Sequence, residues 1–81
     1  MAERRDRLLE KLKRSPHIAT FSDLRKLLEE EGFVLDRVAG SHHVFRRGGT
    51  VFVVPVHNNR MKTVYVKRAI AIIEDTEGAS L

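Results

Sequence analysis

Val44-Phe45-Arg46-Arg47-Gly48-Gly49-Thr50-Val51-Phe52-Val53-Val54-Pro55-Val56 reads as two strand-forming runs joined by a glycine pair. β-Branched and aromatic residues fit a pleated surface, and glycines permit the positive backbone angles of a tight two-residue hairpin turn. Counting outward from the turn sets the register. Arg47 faces Thr50, Arg46 Val51, Phe45 Phe52, Val44 Val53, His43 Val54 and His42 Pro55, if no bulge intervenes. One face then collects Phe45, Phe52, Val54 and Val56 with His43, and the other collects Val44, Val51 and Val53 with His42 and Arg46. The aromatic face has the larger apolar payload and is assigned to the core. His43 therefore points inward and His42 outward, although a one-residue slip would exchange the two.

Upstream of the hairpin, Gly40-Ser41 is a turn and Phe33 to Ala39 a first strand of mixed alternation. Before that strand, Thr20 is placed to cap a helix with Asp23 completing a capping-box pattern, and Phe21, Leu24, Leu27 and Leu28 form one apolar face. Gly32 stops this helix as a left-handed residue, which brings Phe33 back towards Leu28. Further upstream, Ala2 to Arg14 carries Leu8, Leu9 and Leu12 among Arg, Lys and Glu, a one-faced basic helix ended by Pro16. That helix either docks on the core or serves as an arm for a nucleic-acid or protein partner. Downstream, Val56 to Lys62 is a polar loop containing His57, Asn58, Asn59, Arg60 and Lys62. A last helix from about Thr63 to Asp75 aligns Val66, Ala69, Ile70 and Ile73, and Thr76 to Leu81 reads as a frayed tail. The order helix, helix, three strands, helix predicts an α+β fold with a small three-stranded antiparallel sheet and helices on one face. One domain spans 1–81, with a helical extension over 1–20, a core over 21–75 and a tail over 76–81.

The chain has 81 residues, 42% hydrophobic and 32% charged, enough for one thin core. A chain this short buries only about 60% of its unfolded surface, which argues against a deep enclosed pocket. No cysteine is present, so disulfides and thiolate metal sites are excluded, and no apolar run approaches a bilayer span. These features predict a cytoplasmic protein with no membrane association. A net charge of +4 favours a polyanionic partner.

An imidazole titrates near neutrality, so an exposed His beside phosphate-binding cations is suited to move a proton during phosphodiester cleavage. RNA supplies its own 2′-hydroxyl nucleophile and needs neither metal nor covalent enzyme intermediate. Gly40 lets backbone approach a phosphate, and Ser41 can hold one of its oxygens through hydroxyl or amide. The bland alternative is a turn followed by ordinary surface imidazoles. Metal binding has little support, because His42 and His43 splay to opposite strand faces while His57 and His17 lie elsewhere. Arg37, Arg46, Arg47, Arg60, Lys62, Lys67 and Arg68 come from the sheet, the loop and the last helix, and could form one phosphate-binding surface. Tyr65 is the only polar aromatic, so single-strand base stacking has little material.

Phe21-Ser22-Asp23-Leu24-Arg25-Lys26-Leu27-Leu28, Glu31-Gly32-Phe33, Gly40-Ser41-His42-His43-Val44-Phe45, Val54-Pro55-Val56-His57 and Val66-Lys67-Arg68-Ala69-Ile70 together resemble the HicA toxin family, also called YcfA-like, of type II toxin-antitoxin systems. The resemblance runs from about Phe21 to Glu74. It implies a fold similar to a double-stranded RNA-binding domain, ribosome-independent cleavage of mRNA, and neutralisation by a HicB-type antitoxin. It also implies that His42, directly after Gly-Ser, is catalytic, while His43 matches a less essential position. No cofactor is expected, and the expected partners are mRNA and the antitoxin. Gly40, Ser41, His43, Arg46, Arg60, Lys62, Lys67 and Arg68 are the candidates for binding phosphate or RNA. Two departures stand out: an added segment before Phe21, and Gly48-Gly49 where many relatives have a longer loop. A non-catalytic RNA-binding module on the same scaffold is the alternative, and a domain that meets only an acidic protein partner is a third reading.

Overall fold

The computed structural model describes residues 2–79, with side chains for residues 6–75. The side chains of Arg4 and Arg5 in the basic helix, and Ser80 and Leu81 of the expected tail, lie outside the described residues. The hairpin forms in the counted register: β2 (His42–Arg47) pairs antiparallel with β3 (Thr50–Pro55), from Arg47 opposite Thr50 to His42 opposite Pro55. Gly48 alone of the glycine pair has a positive φ, 57°, the demand of a type II′ turn at its first central residue. β1 (Val34–Ala39) pairs antiparallel with β2, giving the order β1-β2-β3. Its register shifts between Leu35 and Arg37, so Asp36 is the extra residue of a bulge. This explains the mixed alternation: Leu35 faces Phe45, and one residue is passed over before Arg37 faces Val44.

α2 (Phe21–Glu30) begins as its sequence requires, with the Thr20 hydroxyl accepting the Asp23 N–H at 3.2 Å. The carboxylate of Asp23 has a different partner from the one a capping box gives it, the Lys11 ammonium of α1 (Ala2–Arg14) at 3.1 Å. At the other end Gly32 has φ 90°, and the N–H groups of Gly32 and Phe33 donate to the Glu29 and Leu28 carbonyls at 3.0 and 2.9 Å. That is a Schellman ending. Arg47 reinforces it, donating to the Glu31 carbonyl at 2.8 Å with its guanidinium 4.5 Å from the centre of the Phe33 ring. A cation here also meets the negative end of the helix dipole.

α3 (Thr63–Ala79) buries Val66, Ala69, Ile70 and Ile73, the four residues aligned by periodicity. The helix continues four residues beyond Asp75, so 76–79 are helical where a frayed tail was expected. A single 3-10 turn, Pro16–Ile18, links α1 to the approach of α2. The α1 helix docks on the core: Leu12 is fully buried and Leu9 nearly so, and the Lys13 ammonium reaches Glu74 of α3 at 2.6 Å. That contact raises the Lys13 pKa above its ordinary value, first through the hydrogen bond and then through the charge of Glu74. The helices cover one face of the sheet, where Phe45 and Val54 are fully buried and Phe52 nearly so. Val34, Val51 and Val53 on the other face remain 65%, 46% and 39% exposed. Among the described residues no helix is long and apolar enough to cross a membrane.

Candidate nucleic-acid interface

The Gly40-Ser41 turn is itself a two-residue hairpin, because Ala39 and His42 on either side of it are partners. Gly40 has φ 59°, and a Cβ built there would meet nothing within 4 Å. Glycine is therefore favoured here by backbone angle and not by crowding. The Ser41 carbonyl accepts the Val56 N–H at 2.8 Å and lies 3.0 Å from His43 Nδ1. A carbonyl only accepts, so the proton of this second bond sits on His43 Nδ1. The His43 ring lies 4.5 Å from the ring of Phe21, tilted by 57°, on the inner face of the sheet. His43 is half-buried and ties the turn to the start of α2.

His42 goes the other way. It is exposed on the uncovered face, opposite Pro55. Since Ser41 and Val56 are joined by a backbone bond, the next pair along, His42 with Pro55, is a non-hydrogen-bonded one. Facing Cβ atoms in such pairs are about 4.5–5.5 Å apart.

The segment after β3, read from sequence only as a polar loop, is a tight turn of its own. His57 and Arg60 exchange two backbone hydrogen bonds of 2.9 Å, and Asn58 and Asn59 between them both take positive φ, 51° and 60°. These are type I′ angles, and asparagine tolerates them better than other residues with a Cβ. Asn59 then staples the turn to α2. Its carbonyl accepts the Phe21 N–H at 2.9 Å, and its side-chain oxygen accepts the Ser22 N–H at 3.1 Å and the Ser22 hydroxyl at 3.3 Å. The Asn-Asn pair is the sequence signal that could have revealed this.

Beside the staple lies an open cavity of about 380 Å³ walled by Pro55, His57, Arg60, Met61, Lys62 and Tyr65. One of its walls, Pro55, is opposite His42 in the β2-β3 pair. Among the described residues no carboxylate pairs with Arg60 or Lys62. Arg68, one turn further along α3, lies over the Tyr65 ring at 5.5 Å. Arg60 and Lys62 line the cavity and Arg68 lies over the ring of its Tyr65 wall, whereas two other candidates lie elsewhere. Arg46 shares the strand face of His42 but sits four residues away, about 13 Å along the strand, where it reaches Asp36 at 3.4 Å. Lys67 lies two residues from Tyr65, on a different side of α3, and lines a separate cavity with Lys13, Pro16 and Glu74. Arg47 is committed to the end of α2. No group of three or more His, Asp or Glu among the described residues could hold a metal ion.

Comparison with known proteins finds no curated protein and no solved structure that matches this chain. A family of sequences does match: residues 21–75 fit the family described as the HicA toxin of bacterial toxin-antitoxin systems. The matched segment runs from the first residue of α2 through the buried face of α3 and contains both the Gly-Ser-His-His turn and the cavity, so the chain belongs to the HicA toxin family.

Proposed function

We propose that this toxin is a ribosome-independent endoribonuclease acting on mRNA in the cytoplasm, that His42 is its general acid/base group, and that a HicB-type antitoxin neutralises it. The observation carrying this reading is an exposed imidazole on the uncovered sheet face, one strand pair from a carboxylate-free cavity rimmed by Arg60 and Lys62. Neutral His42 takes the proton of a ribose 2′-hydroxyl. The 2′-oxygen then bonds to the adjacent phosphorus as the bond from phosphorus to the 5′-oxygen breaks. The leaving oxygen takes a proton from solvent and His42 later returns its own to solvent, giving a 2′,3′-cyclic phosphate and a 5′-hydroxyl end. No metal is needed, because Arg60, Lys62 and Arg68 carry positive charge to the phosphate that gains negative charge. Gly40 and Ser41 fix the turn from which His42 projects, and the Ser41 hydroxyl and amide are near enough in sequence to hold a phosphate oxygen. His43 positions this turn through the Ser41 carbonyl. Arg46 serves RNA backbone further along the sheet, and Lys67 lies beyond this surface.

The test is induction in a bacterial host without the antitoxin. Wild type should arrest growth and fragment mRNA. His42→Ala should fold, spare the cells and lower cleavage by the purified chain about 10²- to 10⁴-fold, the usual contribution of a positioned acid/base group. Equal toxicity from the two chains would remove His42 from the mechanism.

A further inference from the structure

We propose that the cavity walled by Pro55, His57, Arg60, Met61, Lys62 and Tyr65 is a single-nucleotide subsite, taking one base and its phosphate next to the phosphodiester whose cleavage His42 assists. The inference rests on the ribonuclease reading above and adds what the RNA substrate inserts and where. Three features argue for a nucleotide over a bare anion. First, the volume, about 380 Å³, falls in the lower part of the roughly 300–1,000 Å³ range of small-molecule sites, more room than an isolated phosphate needs. Second, the lining is divided by chemistry: Pro55, Met61 and Tyr65 are apolar or aromatic and half-buried, while His57, Arg60 and Lys62 are exposed donors at the rim. A base needs the first group and a phosphate the second. Third, Tyr65 offers a π-face, and stacking on an aromatic ring contributes about 1–3 kcal/mol per base without demanding a particular one.

The walls are also held in place. Arg60 and His57 are joined by two backbone hydrogen bonds, and Asn59 between them is bonded to the first turn of α2. The cavity is therefore formed before RNA arrives, which spares the ordering cost of assembling it. Pro55 is the shared wall, opposite His42 in the strand pair, so a nucleotide seated against it has its neighbouring phosphodiester beside the imidazole. A larger open cavity of about 480 Å³, between Asp6, Arg7, Glu10, Lys11, Arg14, Ser15 and Ile18, mixes acids with bases and contains no aromatic ring.

Tyr65 is the only tyrosine and no tryptophan is present, so its fluorescence reports on this cavity alone. The purified full chain, as wild type and as His42→Ala, is titrated with adenosine and uridine 3′-monophosphates, with ribose 5-phosphate and with inorganic phosphate. Saturable quenching is expected from the nucleotides in both chains and not from the other two. Arg60→Ala and Lys62→Ala, both exposed changes, should each weaken nucleotide binding about tenfold, while the thermal midpoint confirms that they fold. Absence of saturable quenching, equal quenching by inorganic phosphate, or nucleotide affinity unchanged in both variants would overturn the subsite. RNA cleavage by the same preparation separates the two claims. A chain that cleaves RNA but takes no nucleotide loses only the subsite. One that binds nucleotides yet leaves RNA intact loses the ribonuclease reading and retains the site.

Discussion

Asn59 holds a left-handed backbone angle and accepts three hydrogen bonds from the start of α2, so its replacement separates two effects. Asn59→Gly keeps the angle and loses the side-chain oxygen, and should cost about 1 kcal/mol, as the loss of a helix cap does. Asn59→Ala loses the same oxygen and adds left-handed strain of about 1–2 kcal/mol, for a total near 2–3 kcal/mol. Chemical denaturation of the two variants measures the gap between them; identical midpoints would mean that strain at this position is absorbed elsewhere. The two adjacent histidines were legible for a related reason. Residues in a strand alternate faces, and Gly48-Gly49 set the count, so position put the two histidines on opposite faces, and the apolar payload of Phe45 and Phe52 turned His43 inward and His42 outward. The hydrogen bond from His43 to the Ser41 carbonyl was not legible, because it depends on how tightly the turn closes.

At the scale of elements, glycine and helix periodicity carried the reading. Gly32 ended α2 where expected, and the four aligned residues of α3 are all buried. What periodicity could not supply was the use made of each cation. Arg47 is one of several arginines in sequence, yet in the fold it completes the end of α2 and covers Phe33. Arg47→Ala should therefore lower stability by about 1–2 kcal/mol, from one hydrogen bond with a charged donor and a cation–π contact, without selectively weakening RNA binding. Comparing the urea midpoint with RNA affinity for Arg47→Ala and Arg60→Ala tests this division; a large affinity loss in a fully stable Arg47→Ala chain would contradict it. The bulge at Asp36 was hidden as well. It left only irregular alternation in β1, which a single sequence does not distinguish from a weak strand.

For the molecule as a whole, the family match begins at Phe21, but the core begins earlier. Leu12 is completely buried among residues of the matched segment, and Lys11 and Lys13 tie α1 to Asp23 and Glu74. Leu12→Ala should cost about 2–5 kcal/mol, the range for large-to-small changes in a packed interior. In a domain of this size that lowers the melting temperature by about 8–40 °C, since each 1 kcal/mol is worth about 4–8 °C. Calorimetry gives the answer, and a shift of only a degree or two would show that the domain is complete without its first helix. The cavity at Pro55 was the part of the candidate site least visible in sequence, since its walls come from β3, the turn after it and α3. Their meeting is a property of the closed fold and of the bonds made by Asn59.

Those bonds have a consequence for how the protein breathes. The first amides of a helix have no carbonyl partner within it, and in most proteins they exchange with solvent early. Here the Phe21 and Ser22 amides are donated to Asn59, in the turn that carries Arg60. Their deuterium uptake therefore follows the detachment of that turn from the helix, making two backbone protons of α2 a clock for the opening of the cavity on the far side of the staple.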